Sequence, residues 1–267
     1  MTPTARRVLT ATLLLAVFLP AVWAPAWLWQ ALIAGVLGLA AFEWARLSAF
    51  PAVSARIYAV LLAASALMLP VMLPADWPAF RMGLFVLAAV FWLAIAPLWL
   101  LGGWQGAHPA LRAAVGVVLL LPTWAALVYL QARGPFVLLG VAGIVWIADT
   151  AAYFSGRHFG RHKLAPAISP GKTWEGVAGA FVALAVYAAA VSAVAGLPAP
   201  ALLAVVAGLF YLSVLGDLFE SWIKRLSGMK DSGDMLPGHG GVLDRVDALT
   251  STLPVAAGIL LWLEHAG

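Results

Sequence analysis

The 267 residues are 64% hydrophobic and only 10% charged, with a mean hydropathy of +1.00, a formal charge of +4 and no cysteine. A water-soluble chain of this length carries charge on roughly a quarter of its residues, so most of this surface faces lipid, and the class expected is an all-α polytopic membrane protein. Without cysteine there is no disulfide framework, thiolate metal centre, iron–sulfur cluster or cysteine nucleophile.

A helix needs about 20 mostly apolar residues to cross the hydrocarbon core. Nine such windows follow one another, at residues 8–24, 26–43, 57–73, 82–101, 111–130, 136–154, 177–195, 201–219 and 249–264. The first follows Arg6 and Arg7 and is read as an uncleaved span rather than a secretory signal. Helices near Pro97, Pro122 and Pro254 are expected to kink. With the N-terminus inside, every Lys and Arg except Arg81 and Arg133 falls on the cytoplasmic side, so an N-in, C-out bundle of about nine spans is expected. The net positive charge then needs no nucleic acid. About five helices make up residues 1–135, and residues 136–267 hold about four more with the polar loops 156–176 and 220–248, both placed in the cytoplasm. In the first half, Glu43 and Asp76 are the only acids, and both are read as interfacial anchors. The many Trp near span ends are read as an interfacial belt.

Carboxylates inside apolar helices cost roughly 2.5–3.5 kcal/mol each at mid-membrane, so Asp149 and Asp217 call for partners. If the eighth helix continues past residue 219, Asp217, Ser221 and Lys224 share a face at i, i+4 and i+7, with Glu220 beside Lys224. Further on, glycines bracket His239 in Gly238-His239-Gly240-Gly241, giving a backbone that reaches positive φ and approaches phosphate closely. Asp244 and Asp247, three apart, are expected on one helical face. Such carboxylates beside Lys and Arg suit Mg²⁺, which takes one or two carboxylates plus substrate phosphate oxygens, while fixed cations neutralise the rest of a polyphosphate. In the earlier loop, Gly171-Lys172-Thr173 fails as a P-loop because Pro166 stands where the first glycine belongs. Even so, the stretch from Ser169 to Thr173 ahead of a helix places a lysine and free N–H groups where an anion would sit.

Ser221, Lys224, Arg225, Lys230, Asp231, Gly233, Leu236, Pro237, His239, Gly240, Gly241, Asp244, Arg245 and Asp247 together follow the long signature of the phosphatidate cytidylyltransferase family, also known as CDP-diglyceride synthases, which this chain resembles. The stretch from Asp149 through Tyr153, Gly156 and Gly160 to Ser169-Pro170-Gly171-Lys172-Thr173 and Gly176 resembles the family's second region. In the N-terminal half the likeness is in hydropathy alone. The resemblance implies an Mg²⁺-dependent transfer of CMP from CTP to phosphatidate (phosphatidic acid), giving CDP-diacylglycerol and pyrophosphate in a bacterial-type inner membrane. It implies Asp217 and Asp244 as Mg²⁺ ligands, Asp231 and Asp247 next, and room for a second cation. Lys172, Lys224, Arg225 and Lys230 would hold the triphosphate or the lipid phosphate, and Ser221 would hydrogen-bond phosphate or metal-bound water. Ser169, Thr173, Arg245, Asp149 and the His239-Gly240-Gly241 turn complete the substrate contacts. Homodimerisation is implied by the family alone. Two other readings compete. A CTP-dependent polyprenol or phytol kinase shares the setting but transfers the γ-phosphoryl group. An ion-coupled transporter also uses buried acids, but would place them at the midplane in two matching broken helices.

Overall fold

A computed structural model describes residues 3–74, 77–105 and 108–266, with the backbone alone for residues 3–8, 11 and 266. Asp76 therefore lies outside the described residues, as do the side chains of Arg6 and Arg7. Ten helices follow one another: α1 (Pro3–Val22), α2 (Ala26–Leu47), α3 (Ala52–Met72), α4 (Trp77–Val90), α5 (Ala96–Gly102), α6 (Pro109–Arg133), α7 (Pro135–Phe159), α8 (Trp174–Ala195), α9 (Ala199–Leu226) and α10 (Asp247–Ala266). Each of the nine apolar windows falls on this helical frame, and α4 runs into α5 through one wide π-type turn, Phe91–Ile95. Among the described residues, seven helical stretches are long and apolar enough to cross a membrane: α2, α3, α4 with α5, α6, α7, α8 and α9. The protein is thus a predominantly helical, multi-pass membrane protein.

Lipid offers helices no hydrophobic drive to associate, so close packing and polar contacts must hold them. α6 is the hub, with 72% of its apolar stretch buried against 17% for α8, and it packs on α2, α4, α7 and α10. Indoles do much of the fastening. Trp29, Trp44, Trp92 and Trp124 are wholly buried, and the first three donate across helices to the carbonyls of Leu127 (3.2 Å), Arg112 (2.7 Å) and Thr250 (3.0 Å). This corrects the belt reading for these four: three of the indoles serve inside the bundle because their N–H finds a backbone oxygen, while Trp124 is packed there with its N–H unpaired. Phe219 of α9 sits in an edge-to-face cage of Phe91, Trp92 and Trp99, at 5.4, 5.6 and 5.7 Å. That cage fixes α9 one residue before its charged turn.

Two features depart from the sequence expectations. Residues 156–176 are more than a loop: β1 (Lys163–Ala165) and β2 (Ser169–Thr173) form an antiparallel hairpin that feeds directly into α8. The second concerns Asp244 and Asp247, which lie in separate elements. Asp244 belongs to a 3₁₀ turn, Leu243–Arg245, and Val246 at φ −123° breaks the chain before α10 begins at Asp247.

Candidate active site

α9 stays helical through Leu226, so Glu220, Ser221 and Lys224 belong to a buried helical turn rather than to a loop. The expected face is present. Ser221 Oγ donates to Asp217 Oδ1 at 3.2 Å, and Lys224 Nζ lies 3.2 Å from Glu220 Oε1.

Around this turn the polar residues form two joined groups. In the first, a cavity of about 590 Å³ opens between α7, the hairpin, α8 and α9, and is lined by Asp149, Arg157, Ser169, Lys172, Thr173 and Asp217 among others. Lys172 Nζ reaches Asp217 Oδ2 at 2.6 Å, tying the hairpin to α9. The side chains are 24% and 28% exposed, so the pair is reachable from the cavity yet shielded enough to exceed a surface pair in strength. Asp149, Asp217 and Asp247 lie within reach of one another's charge, with Lys172 and Arg245 as the facing cations on Asp149. Thr173 caps the N-terminus of α8, its hydroxyl accepting from the Gly176 N–H at 3.1 Å.

The second group is more enclosed. Lys224 Nζ also donates to Asp244 Oδ1 at 2.6 Å, and Asp244 Oδ2 accepts from the Ser232 N–H (2.9 Å) and the Gly241 N–H (2.8 Å) and lies 3.0 Å from the Ser232 hydroxyl oxygen. Burial opposes ionisation of Asp244, but the hydrogen bonds from Lys224, Gly241 and Ser232 outweigh it and hold the carboxyl below its usual range. The turn at His239 takes the shape its glycines suggested. Gly238 and Gly240 adopt φ of 79° and 78°, and Leu236 N–H donates to Gly240 C=O at 2.9 Å. What these glycines make room for is the protein's own acid: a Cβ on Gly240 would stand 2.6 Å from Asp244 Oδ2, and one on Gly241 would collide with Ser232 and Glu43. His239 Nδ1 is buried without a hydrogen-bond partner.

The other expected residues lie around these groups. Arg225 is exposed and donates to the carbonyls of Ile168 (3.4 Å) and Met229 (3.2 Å). Lys230, Asp231 and Arg245 are exposed on the loop between α9 and α10. Asp247 uses Oδ1 to accept from the Ala248 N–H at 2.7 Å at the start of α10.

Sequence reasoning passed over Glu43. Far from being an interfacial anchor, it is 2% exposed and accepts from the Ser232 hydroxyl (2.9 Å) and from the N–H groups of Val242 (3.0 Å) and Leu243 (2.8 Å). Arg46, three residues on, offered a local ion pair, yet it donates to Phe50 C=O instead.

For Mg²⁺, the donor chemistry fits: hard carboxylate oxygens, with Asp217 reachable from the cavity and Asp149 on the same wall. Among the described residues no three acidic or histidine side chains form a ready-made cage, and a magnesium site completed by substrate phosphates needs no such cage. Asp217 keeps an approach from the cavity, whereas Asp244 has both oxygens engaged within the protein.

Comparison with known sequences places these residues in context. The model of the cytidylyltransferase family matches residues 5–263. The phosphatidate cytidylyltransferase of Pseudomonas aeruginosa is 41% identical over 275 aligned residues, covering 98% of each chain. Those of Haemophilus influenzae and Bacillus subtilis are each 48% identical over shorter stretches, of 128 and 114 residues, which span 46% and 42% of this chain and 44% and 42% of theirs.

Proposed function

This chain belongs to the cytidylyltransferase family, and from that premise we propose that it transfers the cytidylyl group of CTP to phosphatidate, releasing pyrophosphate and leaving CDP-diacylglycerol in the membrane. The observation that carries the reading is the Lys172–Asp217 pair lining a cavity between transmembrane helices, in a chain alignable end to end with a phosphatidate cytidylyltransferase.

The chemistry asks little of a general base. A phosphate monoester is already anionic near pH 7, so its oxygen attacks the α-phosphorus unaided. A bond forms between that oxygen and the α-phosphorus, the bond from the α-phosphorus to the α,β-bridging oxygen breaks, and pyrophosphate departs. What the protein must supply is alignment and charge neutralisation. We assign the fixed positive charge for the triphosphate and the lipid phosphate to Lys172 and Lys224, together with Arg225, Lys230 and Arg245 from the segment that follows. Ser169 and Thr173 sit on the cavity wall beside Lys172, and Ser221 steadies Asp217. Asp217 and Asp244 are the residues we assign to Mg²⁺, with Asp231 and Asp247 as the next candidates. Mg²⁺ bound there would neutralise phosphate oxygens and hold them in line.

We read the bundle as nine crossings with the N-terminus inside and the C-terminus outside. α1 and α10 then complete the seven longer spans, and the polar end faces the cytoplasm of the inner membrane, in accord with the Lys and Arg distribution. A homodimer is part of the same family-based reading. The test is phosphatidate-dependent release of pyrophosphate from CTP by detergent-purified protein. Release that requires both Mg²⁺ and phosphatidate and stops with EDTA is the expected result; pyrophosphate independent of phosphatidate, or none, contradicts it.

A further inference from the structure

We propose that Glu43, on α2 in the otherwise chemically silent N-terminal half, is a positioning residue for the reaction: it holds the loop between α9 and α10 so that Asp244 is presented to Lys224. The inference rests on the cytidylyl-transfer reading for its catalytic consequence, but the tether itself stands on geometry alone.

Glu43 and Ser232 are each 2% exposed, and they are 189 residues apart in sequence. The Ser232 hydroxyl sits between two carboxylates, 2.9 Å from Glu43 Oε2 and 3.0 Å from Asp244 Oδ2, and accepts from the Asp244 N–H at 3.3 Å. On its other side Glu43 takes the N–H groups of Val242 and Leu243, which stand free at the head of the 3₁₀ turn carrying Asp244. Both ends of the loop are thereby fastened to α2, and Lys224 on α9 closes the circuit through Asp244. Gly233 and Gly241 keep the space clear: a side chain at either would run into the Glu43 carboxylate.

The chemistry of the partners requires a carboxylate. Oε1 faces the Val242 N–H, and Oε2 faces the Leu243 N–H. A glutamine has one oxygen and one NH₂, so whichever way it turns, one backbone N–H meets another donor and is left buried and unpaired. Glu43→Gln keeps size and packing while breaking the tether. Glu43→Asp keeps both acceptors but shortens the reach by one methylene, and should recover part of what glutamine loses.

The experiment uses full-length protein in detergent, comparing wild type, Glu43→Gln, Glu43→Asp and, as a control at the opposite end, Tyr129→Phe, which removes the 2.8 Å bond from Tyr129 to Glu264. Steady-state kinetics with CTP and phosphatidate are read beside amide hydrogen exchange in residues 227–246. Misplacing a reacting group by about an ångström costs on the order of 10²-fold. Glu43→Gln is expected to lose about that much in kcat, with smaller changes in both KM values and faster exchange confined to residues 227–246. Aspartate should lie between, and Tyr129→Phe should keep its kcat. Unchanged loop exchange in folded Glu43→Gln overturns the tether, and a wild-type kcat overturns the positioning role. A wild-type protein that transfers nothing would instead sink the functional reading, leaving the exchange comparison to decide the tether.

Discussion

At residue scale, Asp217, Asp244 and Glu43 are each answered by specific donors, and the answers differ in kind. Asp217 pairs with Lys172 at the cavity wall, where substrate phosphates would compete for the lysine and a cation for the acid. Asp217→Asn should therefore fold and lose at least about 10²-fold in rate, at least roughly 2.7 kcal/mol in the transition state, measured as phosphatidate-dependent turnover at saturating Mg²⁺. Lys224 is different: at 10% exposure between Glu220 and Asp244, each at 5%, it answers charges that are largely shielded from water. Removing one partner of a buried pair costs about 3–5 kcal/mol, so Lys224→Met should lower the unfolding midpoint as well as activity, whereas Lys172→Met should mainly affect activity. Asp244 adds a pH dependence. Its folded-state value lies below the ordinary one near 3.9, so the unfolded chain binds the proton more tightly. Its stabilisation is complete above about pH 5, is lost as pH falls through the lowered folded value, and is absent below both. Unfolding midpoints measured from pH 6 to 3 should converge for wild type and Asp244→Asn at the acid end. These roles were only partly legible in the sequence. The i, i+4, i+7 face of α9 follows from helix geometry, and positive φ at Gly238 and Gly240 follows from the lack of a Cβ. Glu43 was hidden because a lone acid at a span end, with an arginine three residues away, has the same local pattern as an interfacial anchor. Its partners lie almost 200 residues away.

At element scale, the helices were readable because lipid demands long apolar segments with every backbone group bonded internally. The hairpin of β1 and β2 was not, since a short, glycine- and proline-punctuated polar stretch carries little periodicity and takes its pairing from the helices it joins. The break at Val246 escaped for a related reason: a three-residue spacing fits a 3₁₀ turn as well as an α-helix, and the fastening of that turn to α2 decides between them. α9 and α10 approach closely at Gly216, where a Cβ would stand 2.5 Å from Ser251 Oγ and 3.1 Å from the carbonyl of Asp247. Gly216→Val should push these helices apart and cost about 1–3 kcal/mol of stability, seen as a lower unfolding midpoint. It should also separate Asp217 from Asp247, so activity at a temperature where the variant is fully folded should fall too.

At the scale of the whole molecule, the fold places most of its described acids and bases at one end of the bundle. The opposite end is held by Arg133 paired with Glu264, and by Arg81 and Arg133 lying 4.6 and 4.9 Å from the Tyr129 ring. This asymmetry runs against a transport pathway, which needs its ionisable groups at the midplane. The absence of native cysteine makes orientation simple to test. A cysteine replacing exposed Asp234 should react with an impermeant maleimide only from the cytoplasmic face, and one replacing Leu197, between α8 and α9, only from the other. Labelling in the opposite sense would invert the assigned topology. The central claim is tested most directly by the fate of the individual phosphates of CTP. Supplied with phosphatidate and Mg²⁺, the protein should carry α-label into the lipid phase and leave γ-label in pyrophosphate. Appearance of γ-label in a lipid product with release of CDP would contradict the account and make the protein a kinase.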